Sequence, residues 1–224
     1  MIIPNLIRIG GQESIDVGTV LSPFEMNMYQ KISNEGRKRE FLYGRYAIKK
    51  NLSDNFPSLD EAYNRITVEY GVLRFPIIKD HIIEVGLSHS KTYALSILYS
   101  KDNLVGIDME TMRPDIPIED MLNESEKVLI GESSSKIEMA YMFFSCKEAL
   151  GKALKMGLLA DYTIYEIQTI QSEKYGEKEV YNFQFKRFPF LTGYCFMKEE
   201  TEICSIVVPK KAEVKDIIEK LIAS

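Results

Sequence analysis

Apolar residues recur at helical spacing in the two stretches Phe41, Leu42, Ile48, Leu52 and Phe143, Cys146, Leu150, Ala153, Gly157. Such spacing places each set on one side of a helix. The pattern predicts helical segments over about residues 22–52, 118–130 and 136–155, and a closing helix near 214–222. Between them, β-branched and aromatic runs predict strands at 66–70, 81–85 and 93–99, then at 162–171, 179–185, 192–198 and 202–208. Helices followed by a strand meander occur twice. The expected class is therefore α+β, with two similar subdomains over residues 1–111 and 112–224. The break is placed near Thr111-Met112-Arg113-Pro114, and Ser100-Lys101-Asp102-Asn103 suits a hairpin turn between the strand before it and Gly106-Ile107-Asp108-Met109-Glu110.

Three short stretches carry candidate chemistry. On the second long helix, Glu148, Lys152 and Lys155 are spaced by four and three and share a face away from the apolar stripe. A carboxylate beside cations can accept a proton while the cations hold an anion, although the same spacing also describes a solvated surface pair. On the acidic strand, Asp108 and Glu110 point to one face and Ile107 and Met109 to the other. Paired hard oxygens suit magnesium, which takes one or two carboxylates together with waters and phosphate oxygens. The alternative is a strand that ends in exposed acids. Ser88-His89-Ser90 could donate several hydrogen bonds to one phosphate, or form a polar turn.

Composition narrows the choice of function. The chain has 224 residues, 45% of them hydrophobic, enough for one sizeable core or two small ones. A net charge of −5 gives no support to nucleic-acid binding. No apolar run is long enough to cross a bilayer, and the start Met1-Ile2-Ile3-Pro4 lacks the pattern of a secretion signal. The three cysteines have no metal-ligand spacing, so a reduced, cytoplasmic setting is expected, with Cys146 in the core of its helix. Two histidines argue against a multi-histidine zinc site. Basic residues gather at Arg37-Lys38-Arg39 and Arg45, either as a solvated face or as a site for an anion.

Taken in order, Ser88-His89-Ser90, Gly106-Ile107-Asp108-Met109-Glu110 and Phe144-Ser145-Cys146-Lys147-Glu148-Ala149-Leu150-Gly151-Lys152 resemble the motifs of the 4′-phosphopantetheinyl transferase superfamily, in its surfactin-synthetase-activating branch. Phe144 stands where that branch usually has Trp, and Tyr70-Gly71-Val72-Leu73-Arg74-Phe75-Pro76 replaces its compact Gly-basic-Pro stretch. The resemblance implies a pseudo-dimer of two subdomains with the active site in the cleft between them. It implies magnesium held by Asp108, Glu110 and Glu148, with Glu148 also the base and Lys152 on the pyrophosphate. Coenzyme A would be held by Arg39, Arg45, Arg74, Ser88, His89, Lys152 and Lys155. The implied reaction moves phosphopantetheine from coenzyme A to a serine of an acyl or peptidyl carrier protein of fatty-acid, polyketide or nonribosomal-peptide synthesis, and releases adenosine 3′,5′-bisphosphate. A monomer is expected, with no nucleic-acid or membrane partner. A magnesium-dependent hydrolase of coenzyme A and a non-catalytic binder of coenzyme A or a carrier are the alternatives.

Overall fold

The structure is a computed structural model, and it describes residues 1–11, 15–57, 62–78, 82–113, 115–131, 135–157, 159 and 161–224. His81, with which one predicted strand begins, and Pro114 of the predicted break lie outside them. The chain divides into two compact units, Met1–Asp102 with Ala223–Ser224, and Asn103–Ile222. Both mix helix and sheet, as the α+β expectation required.

In the first unit, β1 (Ile2–Arg8), β4 (Ile83–His89) and β5 (Tyr93–Ser100) form an antiparallel sheet in the order β1-β5-β4. The short strands β2 (Val68–Tyr70) and β3 (Pro76–Ile78) pair separately. After α1 (Val17–Val20) and α2 (Pro23–Gln30), the long helix α3 (Glu35–Asn55) lies on the sheet. Its start is fixed by Asn34, whose side chain accepts a hydrogen bond from the Arg37 amide at 3.0 Å. Ile48 and Leu52 of α3 pack with Val68, Ile78, Val85 and Leu98. Strand β1 was not predicted from the sequence. Pro4 sits at its centre and would interrupt an inner strand, but β1 pairs only with β5 and is an edge.

In the second unit, β6 (Gly106–Thr111), β7 (Ile167–Tyr175), β8 (Lys178–Phe185), β9 (Leu191–Glu199) and β10 (Glu202–Pro209) form one antiparallel sheet in the order β6-β10-β9-β8-β7. Helix α4 (Glu124–Ile130) precedes α5 (Lys136–Ala153), which lies on β6, β9 and β10, and α6 (Lys215–Ala223) ends the chain. Phe143, Cys146 and Leu150 of α5 meet Phe183, Phe185, Ile203 and Val207 in the core. The predicted hairpin into β6 does not form. β6 pairs with β10, Asp108 opposite Ser205, so the division falls after Asp102 instead of after Thr111. The predicted helix over 118–130 is broken, because Asn123 caps α4 after a 3-10 turn at Ile118–Met121. The strand expected from Tyr162 begins only at Ile167, since Asp161 holds Tyr162–Tyr165 in a 3-10 turn through the Thr163 amide at 2.8 Å.

Each unit contains the same buried ionic device. In the first, Ser22 and Glu25 form a reciprocal cap on α2, and Glu25 Oε1 accepts the Val68 amide at 3.0 Å. Lys49 of α3 donates to Glu25 Oε2 and, at 2.7 Å, to the Val20 carbonyl. In the second, Asn123 and Glu126 form the same cap on α4, and Glu126 Oε1 accepts the Ile167 amide at 2.9 Å. Lys147 of α5 donates to Glu126 Oε2 at 2.6 Å and approaches the Met121 carbonyl at 3.4 Å. The capping glutamate stands three residues after its cap in both, and the carbonyl two residues before it. The device therefore equates Lys49 with Lys147 and, counting along the helices, Ala47 with Ser145.

Arg45 belongs to the first of these clusters. Its Nε lies 3.0 Å from Glu25 Oε1, and its guanidinium lies 4.5 Å from the Phe41 ring centre and 4.8 Å from that of Tyr70. The side chain is 0% exposed. The coenzyme contact expected of Arg45 does not fit this placement, because reaching it would require removing its aromatic cover.

Removing one member of a buried ion pair leaves the other charge desolvated and unpaired, at a cost of about 3–5 kcal/mol. Lys147→Met is expected to lower the unfolding free energy in urea by about that amount. A loss under about 1 kcal/mol would show that Glu126 has no need of its partner.

Candidate active site

Strand β6 and helix α5 approach closely because Gly106 has no side chain. A Cβ there would lie 1.9 Å from the Ala149 carbonyl oxygen, so even alanine would push the helix away. That contact sets Asp108, two residues along the strand, against the helix. Ser145 Oγ donates to Asp108 Oδ2 at 2.8 Å, and Lys152 Nζ donates to Oδ1 at 2.6 Å. Asp108 is only 4% exposed, so its charge is held by these two groups and little by water. Ser145 was not singled out from the sequence. Its position seven residues before Lys152 and three before Glu148, on one helix, was the available signal.

Glu110 follows on the same face of β6 and is half-buried. Burial, then the Asp108 charge, pushes its carboxyl up to about 7, against the pull of Arg113 and Lys152. The Arg113 guanidinium stands 3.7 Å from it. Burial also raises Glu148, with Asp108 adding to the effect and Lys152 opposing it. Tyr162, another residue the sequence reading missed, feels the Glu148 charge; its phenol is raised first by burial and then by that carboxylate. Cys146 is fully buried with its thiol pushed well above the usual range, as expected of a core cysteine.

Lys155, expected one turn beyond Lys152, lies past the end of α5. That helix stops at Ala153, and Lys155 adopts φ +55°. The segment after the acidic strand divides. Ile118 and Leu122 are buried in the core, whereas Met121 is exposed and lines a pocket with Tyr162.

The first unit presents the other expected residues. Arg39 is exposed on α3. His89 is exposed at the end of β4, its Nδ1 3.9 Å from Glu40 Oε2. Ser88 is buried. Ser90 accepts the Thr92 and Tyr93 amides at 3.2 and 3.1 Å, so it shapes the turn. Arg74 is exposed between β2 and β3 with φ +61°.

Among the described residues, no group of three or more His, Cys, Asp and Glu is gathered closely enough to hold a metal ion by itself. Magnesium does not need such a group, because substrate oxygens and water complete its shell. Asp108 and Glu110 fit that requirement: two carboxylates on one face, the charge of the first opposing ionisation of the second. No helix among the described residues is long and apolar enough to cross a membrane.

Known proteins resemble part of the chain. A holo-[acyl-carrier-protein] synthase of Mycoplasma capricolum subsp. capricolum is 37% identical over 83 residues, which cover 35% of this chain and 71% of that protein. The family profile of the 4′-phosphopantetheinyl transferase superfamily matches residues 104–206. The chain belongs to this superfamily. A second holo-[acyl-carrier-protein] synthase, from Acholeplasma laidlawii, is 29% identical over 86 residues, covering 35% of this transferase-superfamily chain and 73% of its own. The profile match begins just before β6 and ends within β10, so it encloses Asp108, Glu110, Ser145, Glu148 and Lys152. These relatives support the superfamily and not the surfactin-synthetase-activating branch within it.

A carboxyl that binds its proton more tightly folded than unfolded stabilises the fold below its unfolded value and loses that effect as pH rises through its folded value. For Glu110 the loss runs from its ordinary value of 4.5 up to about 7. In metal-free buffer the melting temperature is expected to fall between about pH 5 and about pH 7 and to level off above, and Glu110→Gln should flatten that fall. An unchanged slope in the variant would remove Glu110 as its source.

Proposed function

We propose that this protein transfers the 4′-phosphopantetheine arm of coenzyme A to a serine hydroxyl of an acyl or peptidyl carrier protein, with adenosine 3′,5′-bisphosphate as the second product. The observation that carries this reading is the set Asp108, Glu110, Glu148 and Lys152, which lies inside residues 104–206, the part that matches the superfamily profile; two holo-[acyl-carrier-protein] synthases are similar to the chain over 83 and 86 residues. Attack on a pyrophosphate asks a protein mainly to position groups and offset charge.

Glu148 is the proposed base. Burial raises its pKa, which makes the carboxylate a better proton acceptor. Lys152 is the proposed pyrophosphate ligand. Its ammonium also donates to Asp108. Asp108 and Glu110, with Glu148 nearby, are the proposed holders of magnesium, which when bound would offset the charge of the pyrophosphate oxygens. On the nucleotide side the proposal keeps Arg39, Arg74, Ser88, His89 and Lys155. It leaves out Arg45, whose guanidinium is enclosed by Phe41 and Tyr70.

Intact-mass measurement of an acyl carrier protein after incubation with this protein, magnesium and coenzyme A tests the reading. The expected result is a mass gain of one phosphopantetheine group, formed much more slowly by Asp108→Asn, which keeps the volume of that buried side chain. Adenosine bisphosphate released without any carrier would indicate a hydrolase instead, and coenzyme A binding with neither product would indicate a non-catalytic binder. Within the same assay, His89→Ala is expected to raise the KM for coenzyme A several-fold with little change in kcat, since a contact remote from the reacting atoms acts as uniform binding. A large fall in kcat at unchanged KM would place His89 at the reacting centre.

A further inference from the structure

Helix α5 fixes one more residue beside the acidic strand. Its buried Tyr141 accepts the Arg113 amide at 3.0 Å and donates to the Arg113 carbonyl at 2.6 Å. The amide of the preceding Met112 donates to the Thr201 carbonyl at 2.8 Å. The backbone just past β6 is therefore held from the helix and from the strand side, where connecting segments are commonly mobile. Tyr141 stands four residues before Ser145, so the groups that hold Arg113 and Asp108 lie about one helical turn apart. The Arg113 side chain, by contrast, is half-exposed. Its Nη2 stands 3.7 Å from Glu110 Oε1, beyond ordinary hydrogen-bond distance. An exposed pair of this kind contributes little to stability, so the double hold on its backbone is not explained by the pair alone.

Charge gives this side chain a task. Lys152 is paired with Asp108, and Arg113 with Glu110. A divalent cation held by the two carboxylates would take over the charge that these side chains offset, and leave both for an anion. The pyrophosphate of coenzyme A is such an anion, and a planar guanidinium can meet two of its oxygens at once. The first unit supports the link between carboxylates and arginine. Asn5 faces Ser96 as Asp108 faces Ser205, and Asn5 Nδ2 donates at 3.1 Å to the carbonyl of Ala47, at the place of Ser145. Counted from there, Ile7 and Gly10 stand at the places of Glu110 and Arg113. The unit that lacks the carboxylates also lacks the arginine.

We propose that Arg113 is a second pyrophosphate-binding cation beside Lys152, presented by Tyr141. Tyr141 is a positioning residue that acts through Arg113. The inference rests on the transferase reading and adds to it a binding residue of the second unit.

Titration calorimetry on the full chain with magnesium tests it, using coenzyme A and adenosine 3′-monophosphate, which has no pyrophosphate. Arg113→Gln is expected to weaken coenzyme A about tenfold, the scale of one lost charge-assisted contact, and to leave adenosine 3′-monophosphate as in wild type. Arg113→Lys should recover part of the loss. Tyr141→Phe should weaken coenzyme A several-fold in the wild-type background and hardly at all beside Arg113→Gln, a coupling that a merely structural tyrosine would not show. Coenzyme A bound by Arg113→Gln as tightly as by wild type would overturn the inference and leave the transferase reading in place. So would equal weakening of both ligands, or a raised KM for the carrier at unchanged coenzyme A affinity, since the arginine would then serve the nucleotide or the carrier. A wild type that neither binds coenzyme A nor modifies a carrier would remove the reading itself, and the inference with it.

Discussion

The placement of one buried carboxylate governs much of the second unit. A carboxyl buried to 4% exposure needs partners for both of its oxygens, and at Asp108 these are Ser145 and Lys152. Both partners come from α5, so the helix must lie on β6 in one register and at one depth. Gly106 allows the depth, since its missing Cβ admits the Ala149 carbonyl. Burial raises Glu110 and Glu148, the Asp108 charge adds to the rise of both, and this arrangement suits the arrival of a cation.

A second constraint holds each long helix from its other side. Glu25 with Lys49, and Glu126 with Lys147, tie helix α3 or α5 to a capped short helix and to the amide of the strand entry that follows. A buried pair of this kind contributes little net stability beside an apolar substitute, but it penalises any other register. In α5 the tie at Lys147 lies directly beside Glu148. The fold anchor and the proposed base are therefore neighbours in sequence, and turning the helix to release one would displace the other.

The long helices, most strands and the acidic set could be read from the sequence because each depends on local spacing. The shared face of Asp108 and Glu110 follows from strand period alone, and that of Glu148 and Lys152 from helix period. What could not be read depends on distant partners. β1 carries a central proline that only its edge position tolerates. The pairing of β6 with β10, about a hundred residues apart, displaced the expected hairpin, since a good turn at Ser100-Lys101-Asp102-Asn103 says nothing about a better partner elsewhere. Arg45 and Arg39 look alike in a basic stretch, yet Glu25 draws the first into the core and leaves the second exposed. Lys155 fits the helical period but follows the point where α5 ends.

The claim that Ser145 acts through Asp108 is most directly tested by a double-mutant cycle on the single-turnover rate of carrier modification. Ser145→Ala should slow transfer clearly in the wild-type background and hardly at all in an Asp108→Asn background, because the carboxylate it orients is already gone. Ser145→Thr should restore most of the rate, since its hydroxyl can donate the same bond. Equal losses from Ser145→Ala in both backgrounds would contradict the account and give the hydroxyl a role of its own.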